Sequence, residues 1–227
     1  MIAVVLACTS AALFGAMAVA VRIALRGTDD PVLGSFATAS VALAVTVAIG
    51  VVATAGDSLH ASDLWPFFLA GAIAPGLSQV LFTFAINDAG AARTAVLMGT
   101  APLVSVLIAL VVLGEPLEGP LLAGAALIVA GGVALAGERV RPADFRRLGM
   151  VFALLATFMF ATRDNLARAL HTDASPGTAA AATLIAGTVA AALWTRRAPT
   201  TRELRRLAPA GLLFGLSYVC LFDAYFR

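Results

Sequence analysis

Residues 92 to 137 read ARTAVLMGTAPLVSVLIALVVLGEPLEGPLLAGAALIVAGGVALAG. Two uncharged runs, Thr94 to Gly114 and Gly119 to Gly137, lie inside this stretch. Each is close to the ~20 residues that carry a helix across ~30 Å of hydrocarbon. Between them Glu115 and Glu118 flank Pro116, a residue suited to a tight turn and to the first turn of a following helix. Neither run shows a polar face at the 3.6-residue helical period, as a pair of helices in a soluble core would require. The stretch predicts a membrane helical hairpin.

The remainder of the chain has the same character. Of its 227 residues 61% are hydrophobic and 12% charged, against roughly a quarter charged in soluble proteins. All 15 basic side chains are Arg, so Schiff-base chemistry and a P-loop lysine are excluded. A formal charge of +2 gives no nucleic-acid signature, and the Arg clusters lie between apolar runs, where orientation signals belong. Cys8 and Cys220 fall inside apolar segments and point to neither a disulfide nor a metal site. No cofactor motif is present. The first apolar run lacks a positive n-region and is too long for a cleaved signal, so it reads as a retained helix.

Apolar runs mark eight candidate spans: Ile2 to Leu25, Pro31 to Ala55, Leu64 to Ile86, Ala92 to Gly114, Gly119 to Gly137, Leu148 to Leu170, Ala174 to Thr195, and Leu207 onward. The sixth is interrupted by Arg163, Asp164 and Arg168. Internal repetition decides in its favour. Phe14 set against Phe160 brings Arg22 against Arg168, and Pro31 then falls against Pro176. Further on, Gly76, Leu77, Ser78, Val80 and Ala85 align with Gly215, Leu216, Ser217, Val219 and Ala224. The sixth span is therefore a second copy of the first, and the eighth a second copy of the third. A five-helix unit crosses the membrane an odd number of times, so its second copy enters from the opposite side, the inverted repeat that transporters use to expose a central site to each face in turn. The expected fold is an all-α, multi-spanning membrane bundle: a first repeat at 1–137, an Arg-rich linker at 138–147, and a partial second repeat at 148–227.

Pro102 partway along an apolar helix, then Leu113, Gly114, Glu115 and the small-residue helix from Gly119 to Gly137, resembles the end of a repeat of the EamA-like transporters, in the drug/metabolite transporter superfamily. The resemblance implies two five-helix repeats and transport of a small organic solute. It covers the first repeat fully and the second through its third helix. By the alignment Arg227 corresponds to Asp88, so about fifty residues have no second copy. We read this as an incomplete ten-helix carrier, against a natural eight-helix variant; sequencing the DNA past the last codon separates the two.

The odd-numbered connections hold Arg26, Arg93, Arg139, Arg141, Arg146, Arg147, Arg196, Arg197, Arg202, Arg205 and Arg206, and the even-numbered ones no clear Arg. This predicts a cell-membrane protein whose odd connections are cytoplasmic and whose N-terminus is outside, opposite to the arrangement usual in ten-helix relatives.

Ionisable groups inside a span face a partner or a water-filled cavity. Asp164 and Arg168, four residues apart with the acid first, can pair along one face. Arg163 is then left to Asp223, because the sixth and eighth spans run in the same direction and the two residues lie at a similar depth. That pair reads either as a fixed ion pair holding the bundle together, or as a gate or a cation for an anionic solute. Gln79 and Tyr218, equivalent positions that each follow Gly-Leu-Ser, are the candidate solute contacts. Pro75 and Pro102 should bend the third and fourth helices, as static kinks or as hinges. Leu113, Gly114 and Glu115 carry the motif, with Glu115 favouring the start of the fifth helix. Gly124, Gly131 and Gly132 permit close helix approach, within the chain or between two copies in a homodimer. Trp65 and Trp194 read as interface anchors. An intramembrane hydrolase is a poor rival, since His60 and His171 lie in connections; a membrane scaffold that transports nothing is the other alternative. The expected partners are the lipid bilayer and a small-molecule solute, with no nucleic acid, cofactor or metal.

Overall fold

A computed structural model of the chain describes residues 1–26, 30–53, 61–114, 116, 119–136, 146–169 and 174–227. Among these the regular structure is entirely helical. The helices are α1 (Ile2–Leu25), α2 (Pro31–Ala53), α3 (Trp65–Gly71), α4 (Ser78–Ala89), α5 (Ala91–Met98), α6 (Ala101–Val111), α7 (Gly119–Ala136), α8 (Arg147–Ala169), α9 (Pro176–Trp194) and α10 (Thr201–Tyr225). A short 3-10 turn, Ala61–Asp63, precedes α3, and a π-helical turn, Ala72–Leu77, joins α3 to α4. Seven stretches are long and apolar enough to cross a membrane, with α3–α4 and α5–α6 each counted as one. The remaining helix, α7, has 18 uncharged residues. Hydrocarbon offers the backbone no partner, so a spanning segment must satisfy its own N–H and C=O groups, and an uninterrupted apolar helix does so. The chain is a multi-pass membrane protein.

Two of the spans are broken where proline removes a donor. At Pro75 the missing N–H and the steric limit on the preceding residue put Ala74 in an extended conformation, φ −143° and ψ 118°, inside the π-helical turn. At Pro102 the fourth span divides into α5 and α6 around Gly99 and Thr100. The Leu97 carbonyl there accepts from the Thr100 amide at 3.0 Å and its hydroxyl at 2.6 Å, and from the Thr157 hydroxyl at 3.3 Å. The last span begins six residues earlier than its apolar run, because Thr200 and Glu203 form a capping box that starts α10 among its arginines. Glu203 also receives the Arg197 guanidinium at 2.6 and 2.9 Å. That hydrogen-bonded carboxylate raises the pKa of Arg197, which lies outside the spans, above its ordinary value.

The packing is reciprocal between the two parts of the chain. Helix α1 packs along α10, while α8 packs along α4 and also touches α3 and the π-helical turn. Helix α2 packs along α10, while α9 packs along α3 and that turn, and α2 meets α9. Glycines permit these approaches. A Cβ on Gly76 would stand 2.8 Å from the Ala190 Cβ, with the Gly187 Cα at 3.7 Å. A Cβ on Gly215 would stand 2.8 Å from the Ala42 carbonyl and 2.9 Å from the Val45 Cβ. Ser10 of α1 and Ser217 of α10 each donate to the other's backbone carbonyl, at 2.8 and 3.0 Å.

Helix α7 touches α5 and α6, and a Cβ added at Gly124 or Gly131 would meet nothing within 4 Å. These glycines therefore make no close approach within the described chain. Glu115 and Glu118 of the acidic corner, most of the 138–147 linker, His60 and His171 lie outside the described residues, as do the surroundings of Gly132 and the side chain of Arg168. Leu113 and Gly114 are exposed at the end of the fourth span, with Gly114 at φ +67°, a left-handed turn conformation that glycine adopts without steric cost. Trp65 and Trp194 stand exposed at span ends.

Candidate functional site

The site is built around Arg163, on the polar Arg163-Asp164-Asn165 step near the C-terminal end of α8. Its side chain is 3% exposed. Nε and Nη2 donate to the same Asp164 carboxylate oxygen, at 2.8 and 2.5 Å. Nη1 donates to the Tyr218 hydroxyl of α10 at 2.6 Å. The guanidinium lies 5.4 Å from the Phe160 ring centroid and 5.3 Å from that of Tyr218, within cation–π range of both. Tyr225, from the last turn of α10, presents its phenol to the Asp164 carboxylate. A buried arginine is thus matched by one carboxylate, one phenol and two ring faces.

This corrects the expected pairing. Asp223 does not meet Arg163; it accepts from Arg227, one turn on, at 2.9 Å. The reason is helical phase. Tyr225 follows Tyr218 by seven residues and returns to nearly the same face, whereas Asp223 follows it by five and stands about 140° around the helix. The Asp164 carboxylate, expected to pair with Arg168, is held by Arg163; the expected partnership with Arg168 falls on a side chain outside the described residues. Adjacent helical residues do not ordinarily face one another, but the long arginine side chain folds back over Asp164.

Gln79 lies at the start of α4, fully buried, and neither its amide nitrogen nor its amide oxygen has a hydrogen-bond partner among the described residues. The adjacent Ser78 hydroxyl is in the same condition. By the sequence alignment Gln79 corresponds to Tyr218, and the residue corresponding to Arg163 is Met17, which is also fully buried. By that alignment one half carries an arginine where the other carries a thioether, which has no hydrogen-bond donor. Between the halves the equivalent residues Phe14 and Phe160 meet edge to face at 5.8 Å, and Phe14 also contacts Phe82 and Phe214. Sequence reasoning did not single out this aromatic centre, although the alignment began from Phe14 and Phe160. It also missed Asn165, whose amide donates to the Ser105 carbonyl and hydroxyl at 3.1 and 2.8 Å and ties α8 to α6.

The EamA-like transporter family model matches residues 1–136, more than half of the chain. The chain belongs to the EamA-like transporter family. No curated protein matches it. In this EamA-like transporter three of the buried polar side chains adjoin or reach the spans with interrupted backbone. Gln79 directly follows the Pro75 break, and Thr157 and Asn165 reach from α8 to the divided fourth span. Thr157 bonds Leu97 at the break itself, and Asn165 bonds Ser105 on the following helix. The chemistry on offer is recognition: a cation with hydrogen-bond donors, a primary amide, a phenol and aromatic faces.

Proposed function

We propose that the chain is a secondary carrier that moves a small organic solute across the cell membrane by alternating access, with Arg163, Tyr218 and Gln79 contacting the solute and Asp223 lying outside that set. The observation that carries this reading is Arg163. A guanidinium inside a span is costly, and a group of this kind facing the bundle interior is a candidate for contact with a solute. Asp164 holds it in the absence of solute, and an acceptor oxygen on the solute takes over part of that role. The aromatic rings around Phe14 and Phe160 receive the apolar part of the solute.

Two antiparallel halves, 1–137 and 148–227, supply the motion. The exchange of contacts supports this reading: Gly76 lies on Gly187 and Ala190, and its equivalent Gly215 lies on the equivalents of those residues, Ala42 and Val45. A bundle whose halves make interchangeable contacts can rock between two related arrangements about one site. Pro75 and Pro102 are the hinges, since backbone lacking helical hydrogen bonds absorbs changes in angle at low cost. The odd connections face the cytoplasm and the N-terminus lies outside. The open glycine face of α7 is the surface for a homodimer.

Metabolite release by cells overexpressing the gene, compared with cells lacking it, tests the function. A solute released in proportion to expression supports the carrier. Identical release profiles in both strains, with the protein present in the membrane, reject it in favour of a scaffold.

A further inference from the structure

Helix α10 carries an outward stripe that the transport reading leaves unused. Arg202, Arg205, Pro209, Leu212 and Leu216 recur at three- and four-residue spacing, and all five are exposed. The opposite face, with Leu207, Ala210, Phe214 and Tyr218, is buried in the bundle. The stripe is therefore basic for its first turns and apolar beyond them. Glu203 does not neutralise it, because its carboxylate is occupied by Arg197 and by Thr200. Among the described residues Arg202 and Arg205 have no ion-pair partner. Exposed Trp194, at the end of the neighbouring α9, belongs at the headgroup level.

We infer that one anionic phospholipid is seated on this stripe, its phosphate between Arg202 and Arg205 and an acyl chain along Leu212 and Leu216. The dimensions agree. From Arg205 to Leu216 is eleven residues, a rise of about 16 Å, close to the half-thickness of a ~30 Å hydrocarbon layer. Arginines that only set orientation act from anywhere in a connection. A seated lipid needs these two arginines above these two leucines.

Native mass spectrometry of the full chain, equilibrated with equimolar phosphatidylglycerol and phosphatidylcholine of identical chains, tests this. Each arginine near an anionic surface favours the anionic lipid about fivefold, so the pair predicts a preference on the order of thirtyfold. The Arg202→Gln/Arg205→Gln variant should bring the two lipids near parity. Arg139→Gln/Arg141→Gln, which removes the same charge from the 138–147 connection, should leave the preference in place. Should the double variant fail to fold, raising salt on the unaltered protein gives the second readout: the preference must fall as charge is screened. Equal retention of both lipids, loss of preference in the connection variant, insensitivity to salt, or displacement of the lipid by excess soluble glycerol phosphate would each overturn the proposal.

Discussion

Truncating Arg163 to Ala separates what the bilayer asks of this residue from what the bundle asks. Arg163 makes three charge-assisted hydrogen bonds, two to Asp164 at 2.8 and 2.5 Å and one to Tyr218 at 2.6 Å. Its loss leaves a carboxylate without its cation and a buried phenol without its donor. Breaking a buried ion pair costs about 3–5 kcal/mol. The Asp164 side chain is 28% exposed, and water reaching it lowers the expected loss to about 2–4 kcal/mol. Insertion moves in the other direction, since removing an arginine from a span lowers the insertion cost by up to about 3 kcal/mol, less towards the helix end. The variant should therefore reach the membrane in normal amount, unfold at lower temperature in detergent, and fail to transport. Tyr218→Phe, which leaves both bonds to Asp164 in place, should cost about 1–2 kcal/mol. The double variant should lose less than the two singles together, because they share one bond. Thermal unfolding monitored by size exclusion gives the stabilities, and release from reconstituted vesicles gives transport. Stability of Arg163→Ala within about 0.5 kcal/mol of the unaltered protein would refute the packing argument, and unchanged transport would refute the role in solute binding.

The other predictions follow from packing and backbone. Gly76→Leu and Gly215→Leu should each destabilise the bundle by at least about 1–3 kcal/mol, since even a Cβ is too close to the opposing helix. Gly124→Leu and Gly131→Leu should leave the monomer's thermal stability unchanged, and a fall in the cross-linked dimer fraction is the signature expected if this face pairs two copies. Pro102→Ala restores an amide donor to the divided fourth span; transport should slow while thermal stability holds or rises, as measured by vesicle flux and unfolding. A reporter fused after Arg197 should be active on the cytoplasmic side, and activity restricted to the exterior would reverse the orientation.

Much of this architecture is legible in the sequence because lipid imposes a simple demand on it. An apolar run long enough to cross hydrocarbon must close its hydrogen bonds as a helix, and α1 begins and ends at Ile2 and Leu25, where its run does. Proline acts locally, so the breaks at Pro75 and Pro102 are readable one residue at a time. The start of α10 was hidden because its first turns are arginine-rich, although Thr200 and Glu203 are three residues apart as a capping box requires. The pairing of Arg163 was not legible. Depth along a helix follows from counting residues, and depth suggested Asp223. Direction around α10 depends on which face packs inward, and that is set by contacts between helices, so Tyr218 turns towards α8 and Asp223 turns away. The unpartnered amide of Gln79 is likewise a property of the assembled bundle, since it depends on what the neighbouring helices bring to it.

The proposed carrier needs two related halves that cross the bilayer in opposite directions around one site. Labelling single cysteines with a membrane-impermeant maleimide in intact cells, at Arg26→Cys after α1 and Ala174→Cys before α9, in a chain with Cys8 and Cys220 replaced by Ala, measures this directly. These positions follow the equivalent helices α1 and α8 and should lie on opposite sides, with 174 labelled from outside and 26 labelled only after the cells are opened. Labelling of both positions from the same side would contradict the antiparallel arrangement and the carrier mechanism built on it.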